Sequence, residues 1–529
     1  MRRDSAASKA FWIFVIAFLL AATGAAAVTA LLLNIHAKQL EARQYPMMLF
    51  KVEDSNPDPD LWGKNFPQQL ASYNEMKDNN QPTRFGGSLP YSKLIRFPQL
   101  TRLWAGYPFA LDFNEERSHY YSQVDQLETK RNDREYLNAH GLPAFKGQPG
   151  ACMNCHSGWA PQLIRELGWE KFNASPYMEL VAGLREAHGD SIHGARLGGT
   201  CADCHSPDDM SLRVTRPAYI NAMEKRGYQR DDKQGLVATR REMRSHVCQQ
   251  CHVEYYFAGP SKVLTYPWTN WPKDEPLTIQ MIDAFYESAR QGDNGFKADW
   301  IHAETGAPMI KIQHPEAELY SSGIHARAGV ACADCHMPYR REGAIKVTSH
   351  NISSPMFSIN GSCQTCHAFP EEEMKSRVNQ IQGHTMRALH AAEEAILALI
   401  DDIKQARALI IASPEYKGLP SPQEQEAYLN TALAPAREQH RKASLRWDFI
   451  SSENSSGFHS PQMAALIIGE AREHARRGQL ELLASLSNLR LKLQPTSGAG
   501  FMPPAPAVIP GRSPVGDPPP SWMKAFDQP

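Results

Sequence analysis

The chain has 529 residues, of which 42% are hydrophobic, so it is long enough to bury one large core or two ordinary ones. Its 56 lysines and arginines balance 57 aspartates and glutamates, and this excludes the strongly basic character typical of nucleic-acid-binding proteins. The composition also excludes an intrinsically disordered chain.

An uncharged apolar run of 23 residues, from Phe11 to Leu33, lies near the N-terminus behind three basic residues. The apolar core of a signal peptide has about 7–15 residues, whereas a membrane-spanning helix needs about 20. We therefore predict a transmembrane signal anchor at residues 11–33, with residues 1–10 in the cytoplasm. The alternative is a signal peptide cleaved after the small residues Ala25–Ala27. In both cases the rest of the chain would lie on the periplasmic side of the cell membrane.

All ten cysteines belong to five C-x-x-C-H motifs. The motifs are Cys152, Cys155 and His156; Cys201, Cys204 and His205; Cys248, Cys251 and His252; Cys332, Cys335 and His336; and Cys363, Cys366 and His367. In this signature the two thiols attach one porphyrin as thioethers, and the adjacent histidine binds its iron. Zinc sites and disulfides are the alternatives, but zinc sites usually draw four ligands from two paired motifs, and five triplets do not divide in that way. The sequence therefore predicts five covalently bound haem c groups.

After the apolar run, the chain divides by composition into a short link and a haem-bearing region. Residues 34–45 form the predicted link. Residues 46–370 hold every haem motif, together with many glycine, proline and asparagine residues that interrupt regular structure. We predict short helices and loops there, with the haems replacing much of the usual side-chain core.

The C-terminal part, residues 371–493, has apolar residues at helical spacing. Helices are predicted at Glu371–Ala412, Pro422–Ser452 and Pro461–Leu493. Long helices of this kind usually pack on one another or on a partner subunit, so the region is a predicted dimer interface. Residues 494–529 are rich in proline and glycine and are predicted to be disordered. The predicted fold class is therefore mostly α, a multihaem cytochrome c fold.

Several segments outside the haem motifs resemble cytochrome c nitrite reductase, the pentahaem family that reduces nitrite to ammonium. The segments are C-H-V-E-Y-Y-F at Cys251–Phe257, K-I-Q-H-P at Lys311–Pro315, C-x-D-C-H-M-P at the fourth haem, and W-D followed by G-F-H-x-P near the end. The resemblance covers roughly residues 80–475. It implies nitrite as substrate, a homodimer, and a membrane tetrahaem quinol dehydrogenase or another cytochrome as electron donor.

The resemblance also implies three catalytic residues beside the first haem. The histidine of Q-H-P corresponds to His314, and the tyrosine after Glu254 corresponds to Tyr255. The arginine of H-x-Y-x-x-x-D-x-x-E-T-x-R corresponds to Arg131, with Arg134 as a nearby competitor. A guanidinium binds an anion through its charge and a fork of hydrogen bonds, and an imidazole can donate protons near neutral pH. Without the resemblance, His314 could also be an axial haem ligand and Tyr255 a packing residue.

A calcium ion accompanies the active site in this family. Its ligands here would be the Glu254 side chain, the Tyr255 carbonyl, the Lys311 carbonyl and the Gln313 side chain, together with water. All are oxygen ligands, as calcium requires. Because the ligands alternate with the catalytic residues, the ion would hold Tyr255 and His314 in place and add positive potential. Without the resemblance, Glu254 and Gln313 would be interpreted as polar residues of the surface.

Four further histidines correspond in position to distal ligands of the relay haems. His350 would serve the second haem, His119 the third, His459 the fourth and His325 the fifth. The 20 histidines of the chain suffice for five haems with two histidines each, and also for four such haems beside an open one. Their number therefore does not distinguish an electron relay from an enzyme.

The first haem motif departs from the usual family pattern. Many members have a lysine where this chain has His156, although a histidine occurs in some. A second histidine on the other side of this haem would make the protein a pure relay. Two alternatives to nitrite reduction therefore remain: a multihaem electron-transfer protein without catalysis, and a reductase that acts mainly on hydroxylamine or sulfite.

Overall fold

The computed structural model describes residues 4–42, 48–145, 147–268, 271–291, 296–343 and 345–493. The tail predicted at 494–529 lies outside the described residues, as do residues 43–45 of the predicted link. Contacts within the chain separate an N-terminal unit, Met1–Leu49, from a body, Phe50–Pro529.

The N-terminal unit contains helix α1 (Asp4–Ala42). Its segment Ser8–His36 is long and apolar enough to cross a membrane. Small and aliphatic residues without proline keep this segment in one continuous helix. The helix runs on to Ala42, so the described part of the predicted link at 34–45 is helical.

The body is mostly helical, as predicted. Its short helices are α2 (Pro59–Gly63), α3 (Pro67–Asn74), α4 (Lys93–Arg96), α5 (Leu100–Leu103), α6 (Ser122–Glu128), α7 (Arg134–Ala139), α8 (Met153–His156), α9 (Ala160–Leu167), α10 (Trp169–Ala174), α11 (Tyr177–His188), α12 (Cys201–Cys204), α13 (Pro217–Lys225), α14 (Arg240–Gln249), α15 (Ile279–Gln291), α16 (Glu316–Ser321), α17 (Ile324–Arg327) and α18 (Cys332–His336). Single 3-10 turns lie at Glu75–Asp78, Pro108–Ala110, His119–Tyr121, Lys130–Asn132, Gly150–Cys152, Pro355–Phe357 and Cys363–Thr365. Frequent prolines and glycines end these helices early.

Long helices make up the C-terminal part: α19 (Glu371–Ala412), α21 (Pro422–Ser451) and α22 (Pro461–Asn488), with the short α20 (Pro414–Lys417) between the first two. Both α21 and α22 begin with proline in the first turn, where its missing amide hydrogen costs nothing. Helix α22 ends five residues before the predicted Leu493, because Arg490 adopts a left-handed φ of 57°.

The three long helices pack through their apolar faces. Ile400 on α19, Leu433 on α21 and Ile467 on α22 are each fully buried, and burial of such a side chain contributes about 1.5–3 kcal/mol. Gly478 on α22 lies against Leu399 on α19, where a Cβ atom would come within 2.6 Å of the leucine. The glycine thus allows these two helices to approach closely.

Short β-hairpins connect several of the helices. Within the described residues, ten strands form five antiparallel pairs: β1 (Pro82–Thr83) with β2 (Gly86–Gly87), β3 (Arg230–Asp231) with β4 (Gly235–Leu236), β5 (Tyr256–Ala258) with β6 (Val263–Thr265), β7 (Trp300–Ile301) with β8 (Pro308–Met309), and β9 (Tyr339–Glu342) with β10 (Ile345–Thr348). Strands of two to four residues are too short to show alternation in a sequence, so these pairs were not predicted.

Candidate active site

An internal cavity of about 1820 Å³ extends through the body. Every cysteine and histidine of the five motifs lines it. A pocket for one drug-sized ligand has about 300–1,000 Å³, so this space suits several large groups rather than one small molecule. Thiols and imidazoles arranged in attachment motifs around it fit haem c.

The cysteine pairs lie on short helical turns. The first motif runs from the 3-10 turn Gly150–Cys152 into α8, and helices α12 and α18 carry the cysteines of the second and fourth motifs. The two sulfurs of each pair therefore lie about one turn apart on the same face. The third motif continues from the end of α14, and the fifth occupies a 3-10 turn. In α12 the turn is fixed because Thr200 and Asp203 cap each other at its N-terminus. Local sequence thus presents each pair of thiols to one side.

Four of the motif histidines face a second imidazole. The ring centroids are 6.2 Å apart for His205 and His350, 6.0 Å for His252 and His119, 6.4 Å for His336 and His459, and 6.3 Å for His367 and His325. Two imidazoles that bind one metal through bonds of about 2 Å have ring centres roughly 6 Å apart. Each pair therefore leaves the space that one iron needs, and these are the four pairings that the resemblance implies.

Backbone carbonyls orient several of these imidazoles. Nδ1 of His205 lies 2.8 Å from the carbonyl oxygen of Met210, and Nδ1 of His336 lies 3.0 Å from that of Ser353. An imidazole that donates from Nδ1 to a carbonyl keeps Nε2 unprotonated and ready to bind a metal. The protein thus selects the tautomer before any metal is bound.

His156, in the first motif, has a different setting. Within the part of the chain that the structure describes, no second imidazole faces it at the spacing of the four pairs. Its Nδ1 lies 3.4 Å from Oε1 of Glu116, and its backbone carbonyl accepts a hydrogen bond of 2.9 Å from the Ser122 hydroxyl. Among the described residues, His156 thus lacks the partner imidazole that each of the other four motif histidines has.

His314 has a ring contact with the third motif and lies within electrostatic reach of His156 in the first. Its ring centroid is 6.5 Å from that of His252, compared with 6.0 Å for His119. Burial lowers the pKa of His314 to about 4, so its imidazole is neutral at neutral pH. This differs from the expectation of a side chain that titrates there, although a neutral imidazole still donates one hydrogen bond.

Arg131 lines the cavity, whereas Arg134 is exposed at the start of α7. Nη1 of Arg131 donates to the Asp112 carbonyl at 2.7 Å, and the guanidinium carbon lies 4.2 Å from the centre of the Phe109 ring. Nε of Arg131 is buried without a hydrogen-bond partner among the described residues. Part of its donor fork is thus available to a bound anion.

The residues expected to bind calcium surround a buried carboxylate. Glu254 is fully buried and accepts hydrogen bonds from the Tyr286 hydroxyl at 2.7 Å and from the backbone amide of Gln313 at 2.6 Å. The side-chain nitrogen of Gln313 lies 3.2 Å from the Lys311 carbonyl oxygen. A 180° flip of this amide would exchange its nitrogen and oxygen. The Gln313 side-chain oxygen would then lie beside the Lys311 carbonyl oxygen, as expected for two ligands of one cation. Burial raises the pKa of Glu254 well above its usual range. A divalent cation would supply the missing charge, so the donor set fits calcium.

Tyr255 joins the catalytic residues to this carboxylate site. It follows Glu254 directly, precedes β5, and lines the cavity. The alternation of an extended chain turns its neighbour Tyr256 into the core, where it is buried. Burial raises the pKa of Tyr255 well above its usual range, so its hydroxyl stays protonated and can donate a hydrogen bond.

Two aspartates that the sequence did not single out hold the K-I-Q-H segment. Asp299 accepts the Lys311 amide, and Asp448 accepts the Ile312 amide, both at 2.9 Å. Burial raises the pKa of Asp299 to about 6. Asp448 belongs to the W-D pair, which was part of the resemblance and carried no role. No local pattern marks Asp299, since only the β7–β8 hairpin brings it to Lys311.

Comparisons with known proteins bear on this site. The profile of the cytochrome c552 family matches residues 58–497. The cytochrome c-552 of Parabacteroides distasonis is 32% identical over 431 residues, covering 81% of this chain and 77% of that protein, and the cytochrome c-552 of Bacteroides thetaiotaomicron is 33% identical over 422 residues, covering 80% and 76%. A solved structure described as cytochrome c nitrite reductase from Desulfovibrio desulfuricans, with two calcium sites in its catalytic subunit, is similar with a TM-score of 0.68 and 31% identity over 82% of this chain and 87% of that chain.

Proposed function

The chain belongs to the cytochrome c552 family, and from this membership we propose that it is an ammonia-forming cytochrome c nitrite reductase. It carries covalently attached haem c at its C-x-x-C-H motifs and also binds calcium. Nitrite is its substrate, and a cytochrome supplies the six electrons that convert nitrite to ammonium.

One observation supports a catalytic role for the first haem: four motif histidines face a partner imidazole, and His156 does not. A haem held by two histidines has no position left for a substrate, whereas a haem held by one does. Arg131 and Tyr255 lie within electrostatic reach of Cys152, and His314 lies within electrostatic reach of His156, in the cavity that the motifs line. We therefore propose that nitrite would bind at the first haem, which His156 would hold, within reach of Arg131, Tyr255 and His314.

The side chains at this site have different roles, which follow from their charge and their hydrogen-bonding groups. Bound haem supplies electrons and a position for nitrogen. Arg131 attracts the anion and binds its oxygens, since its guanidinium is always charged and part of its fork is available. Tyr255 and His314 donate hydrogen bonds and pass protons toward the oxygens that leave as water. Because His314 is neutral, it would act as a hydrogen-bond donor and proton relay rather than as a permanent positive charge that attracts nitrite.

The calcium site proposed here consists of the Glu254 carboxylate, the Tyr255 and Lys311 carbonyls and the Gln313 side chain. The buried, uncompensated Glu254 supports it. Because Tyr255 is a catalytic residue and Gln313 precedes His314, an ion at this place fixes the positions of two catalytic side chains.

The proposed electron path follows the contacts between haem motifs. The Cys155 thiol lies beside that of Cys251, and the Cys248 thiol lies beside that of Cys332. These contacts make the third haem a neighbour of both the first and the fourth. Each relay haem would be held by two imidazoles, and the proposed pairs are His205 with His350, His252 with His119, His336 with His459, and His367 with His325.

The N-terminal helix supports a proposed location at the periplasmic face of the cell membrane. Segment Ser8–His36 is suited to an uncleaved anchor, and c-type haem is attached outside the cytoplasm. An anchored enzyme in this place would take electrons from a membrane tetrahaem quinol dehydrogenase or a similar cytochrome. Sequencing of the N-terminus of the mature protein would distinguish the anchor from a cleaved signal peptide.

The first test is the ammonium yield from nitrite, with purified protein and a reduced viologen dye as electron donor. We expect about one ammonium per nitrite, and a lower kcat/KM for hydroxylamine and sulfite than for nitrite. No ammonium from protein that carries all five haems would contradict the proposal and favour an electron relay. Faster turnover of hydroxylamine or sulfite would instead change the assigned substrate.

A further inference from the structure

Three consecutive backbone amides of the K-I-Q-H segment each donate to a different carboxylate. The Lys311 amide donates to Asp299 at 2.9 Å, the Ile312 amide to Asp448 at 2.9 Å, and the Gln313 amide to Glu254 at 2.6 Å. An ordinary extended segment would pair such amides with backbone carbonyls of a neighbouring strand. Here three carboxylate side chains accept these hydrogen bonds in place of a neighbouring strand. The position of the segment therefore depends on those carboxylates.

The three carboxylates come from separate parts of the body. Asp299 precedes strand β7, Glu254 precedes strand β5, and Asp448 lies in the last turns of helix α21. Asp448 and Glu254 are almost completely buried, and Asp299 is half-buried. The segment is thus held from three directions, and one of them is the long-helix region.

The Lys311 ammonium adds a second set of bonds to the same place. It lies 2.9 Å from Oδ1 of Asp448 and 2.7 Å from the Ser452 hydroxyl, and both charged side chains of the pair are 2% exposed. It also lies 4.7 Å from the centre of the Trp104 ring, a favourable cation–π distance. Lys311 is therefore fixed by its backbone on one side and by its side chain on the other.

The charges in this cluster do not balance. If all three carboxylates are ionised, they exceed the one ammonium by two negative charges among the side chains in contact with the segment. A buried carboxylate without a compensating charge is costly. A divalent cation next to Glu254 would bring the cluster to neutrality.

We infer that Asp299 and Asp448 are positioning residues of the active site, which hold the K-I-Q-H segment in the geometry that binds calcium and orients His314. The expected effect on catalysis rests on the proposed function, whereas the expected effect on calcium binding does not. Asp299 fixes the peptide before the Lys311 α-carbon, and Asp448 fixes the peptide that contains the Lys311 carbonyl. Neither aspartate needs to touch the ion, because groups that orient metal ligands commonly change metal affinity or activity by about 10–100-fold.

Asparagine variants test this role with little change of shape. In Asp299→Asn and Asp448→Asn the side chain keeps its shape but loses the negative charge that strengthens its hydrogen bond to the backbone amide. The matched control is Glu393→Gln, which removes another buried carboxylate in the helix region that contacts Gln99, His390 and Trp447 rather than the segment. Calcium affinity is measured by competition with a chelator, and haem content by pyridine haemochrome absorbance.

We expect calcium to bind about 10–100-fold more weakly to both aspartate variants than to the control, with five haems retained. In the Asp299→Asn variant, kcat for nitrite should fall at low calcium and recover with excess calcium, which a general loss of folding would not allow. Calcium affinities equal to that of Glu393→Gln would overturn the inference. If Asp448→Asn does not fold, because Lys311 loses its counter-charge, Asp299→Asn decides alone. Wild-type protein that binds calcium but reduces no nitrite would refute the proposed function and leave the calcium result standing.

Discussion

The surroundings of single residues separate side chains that look equivalent in the sequence. Arg131 lies on the 3-10 turn Lys130–Asn132, which Thr129 caps, and it enters the cavity. Arg134, three positions later, begins α7 and faces solvent. Binding of an anion inside the cavity should therefore depend on Arg131 and be indifferent to Arg134.

The variant Arg131→Ala should lose nitrite reduction while keeping its haems. Removal of a preorganised charged donor from a buried site costs about 10²–10³-fold in rate, and we expect a loss of that size in kcat/KM for nitrite. Steady-state kinetics with a viologen donor measures it, and Arg134→Ala is the matched control. Near-wild-type activity of Arg131→Ala would remove this residue from the proposed site.

At this scale, the sequence was sufficient where chemistry depends on local spacing. The cysteines and proximal histidines follow from a five-residue motif alone. The distal histidines and the calcium ligands needed the resemblance, because they lie far along the chain from the groups they would serve. Asp299 and Asp448 could not be predicted, since packing of a hairpin and a helix against the same segment creates their contacts.

Among the secondary-structure elements, the β7–β8 hairpin packs on α21 through two buried histidines. Nε2 of His302 lies 2.8 Å from the Arg102 carbonyl, and its Nδ1 accepts the Thr305 amide at 3.3 Å. His440 on α21 lies 3.2 Å from the Thr305 hydroxyl. His302 thus uses one nitrogen as donor and the other as acceptor, and a second proton would break the second bond.

This contact should make stability depend on pH. Burial lowers the pKa of His302 to about 4 and that of His440 well below its ordinary value, whereas an unfolded imidazole titrates near 6.5. Between these values the unfolded chain binds protons that the folded chain does not, so stability is complete above about pH 6.5 and falls as the pH is lowered. For His302 the loss by pH 4 is on the order of 3 kcal/mol.

Replacement of His302 by asparagine should flatten this dependence. The urea midpoint, followed by circular dichroism at pH 7 and pH 5, should fall less between the two conditions in His302→Asn than in the wild type. The variant His140→Asn, at an exposed position on the end of α7, should behave like the wild type. Equal slopes in His302→Asn and the wild type would assign the acid sensitivity to other groups.

Long helices were easier to predict than hairpins for a physical reason. Helices α19, α21 and α22 span many turns, so their apolar period repeats often enough to be recognised. The hairpins contribute two to four residues per strand and are fixed mainly by what packs around them. Hairpin β5–β6 nevertheless positions Tyr255, and hairpin β7–β8 positions both Asp299 and Lys311. The elements that are hardest to predict from the sequence therefore lie beside the proposed catalytic residues.

For the whole molecule, the outer face of α22 is relevant to assembly. Leu466, Leu480 and Leu483 are 52%, 66% and 49% exposed, and their spacing puts them on one side of the helix. Gly469 lies between them with open space above it. We propose that a second copy of the chain covers this face, in agreement with the dimer predicted from the long helices.

Substitution of Leu480 by lysine should weaken such a dimer. Burial of each leucine contributes about 1.5–3 kcal/mol, and a lysine would add the cost of desolvating a charge, so the dimer Kd should rise at least about tenfold. Sedimentation velocity across a concentration series measures this. The control Val237→Lys changes another exposed aliphatic residue, which is 54% exposed and lies after β4. A Leu480→Lys protein that dimerises as well as the control would place the interface elsewhere.

The contacts between thiols of different motifs also constrain how the protein is made. Cys155 lies beside Cys251, and Cys248 beside Cys332, so the fold brings together sulfurs that belong to different haems. A chain that reached this arrangement with free thiols in an oxidising compartment would join them as disulfides. Attachment of haem to an open chain would prevent such pairing, so we expect each motif to receive its haem before the body folds around it.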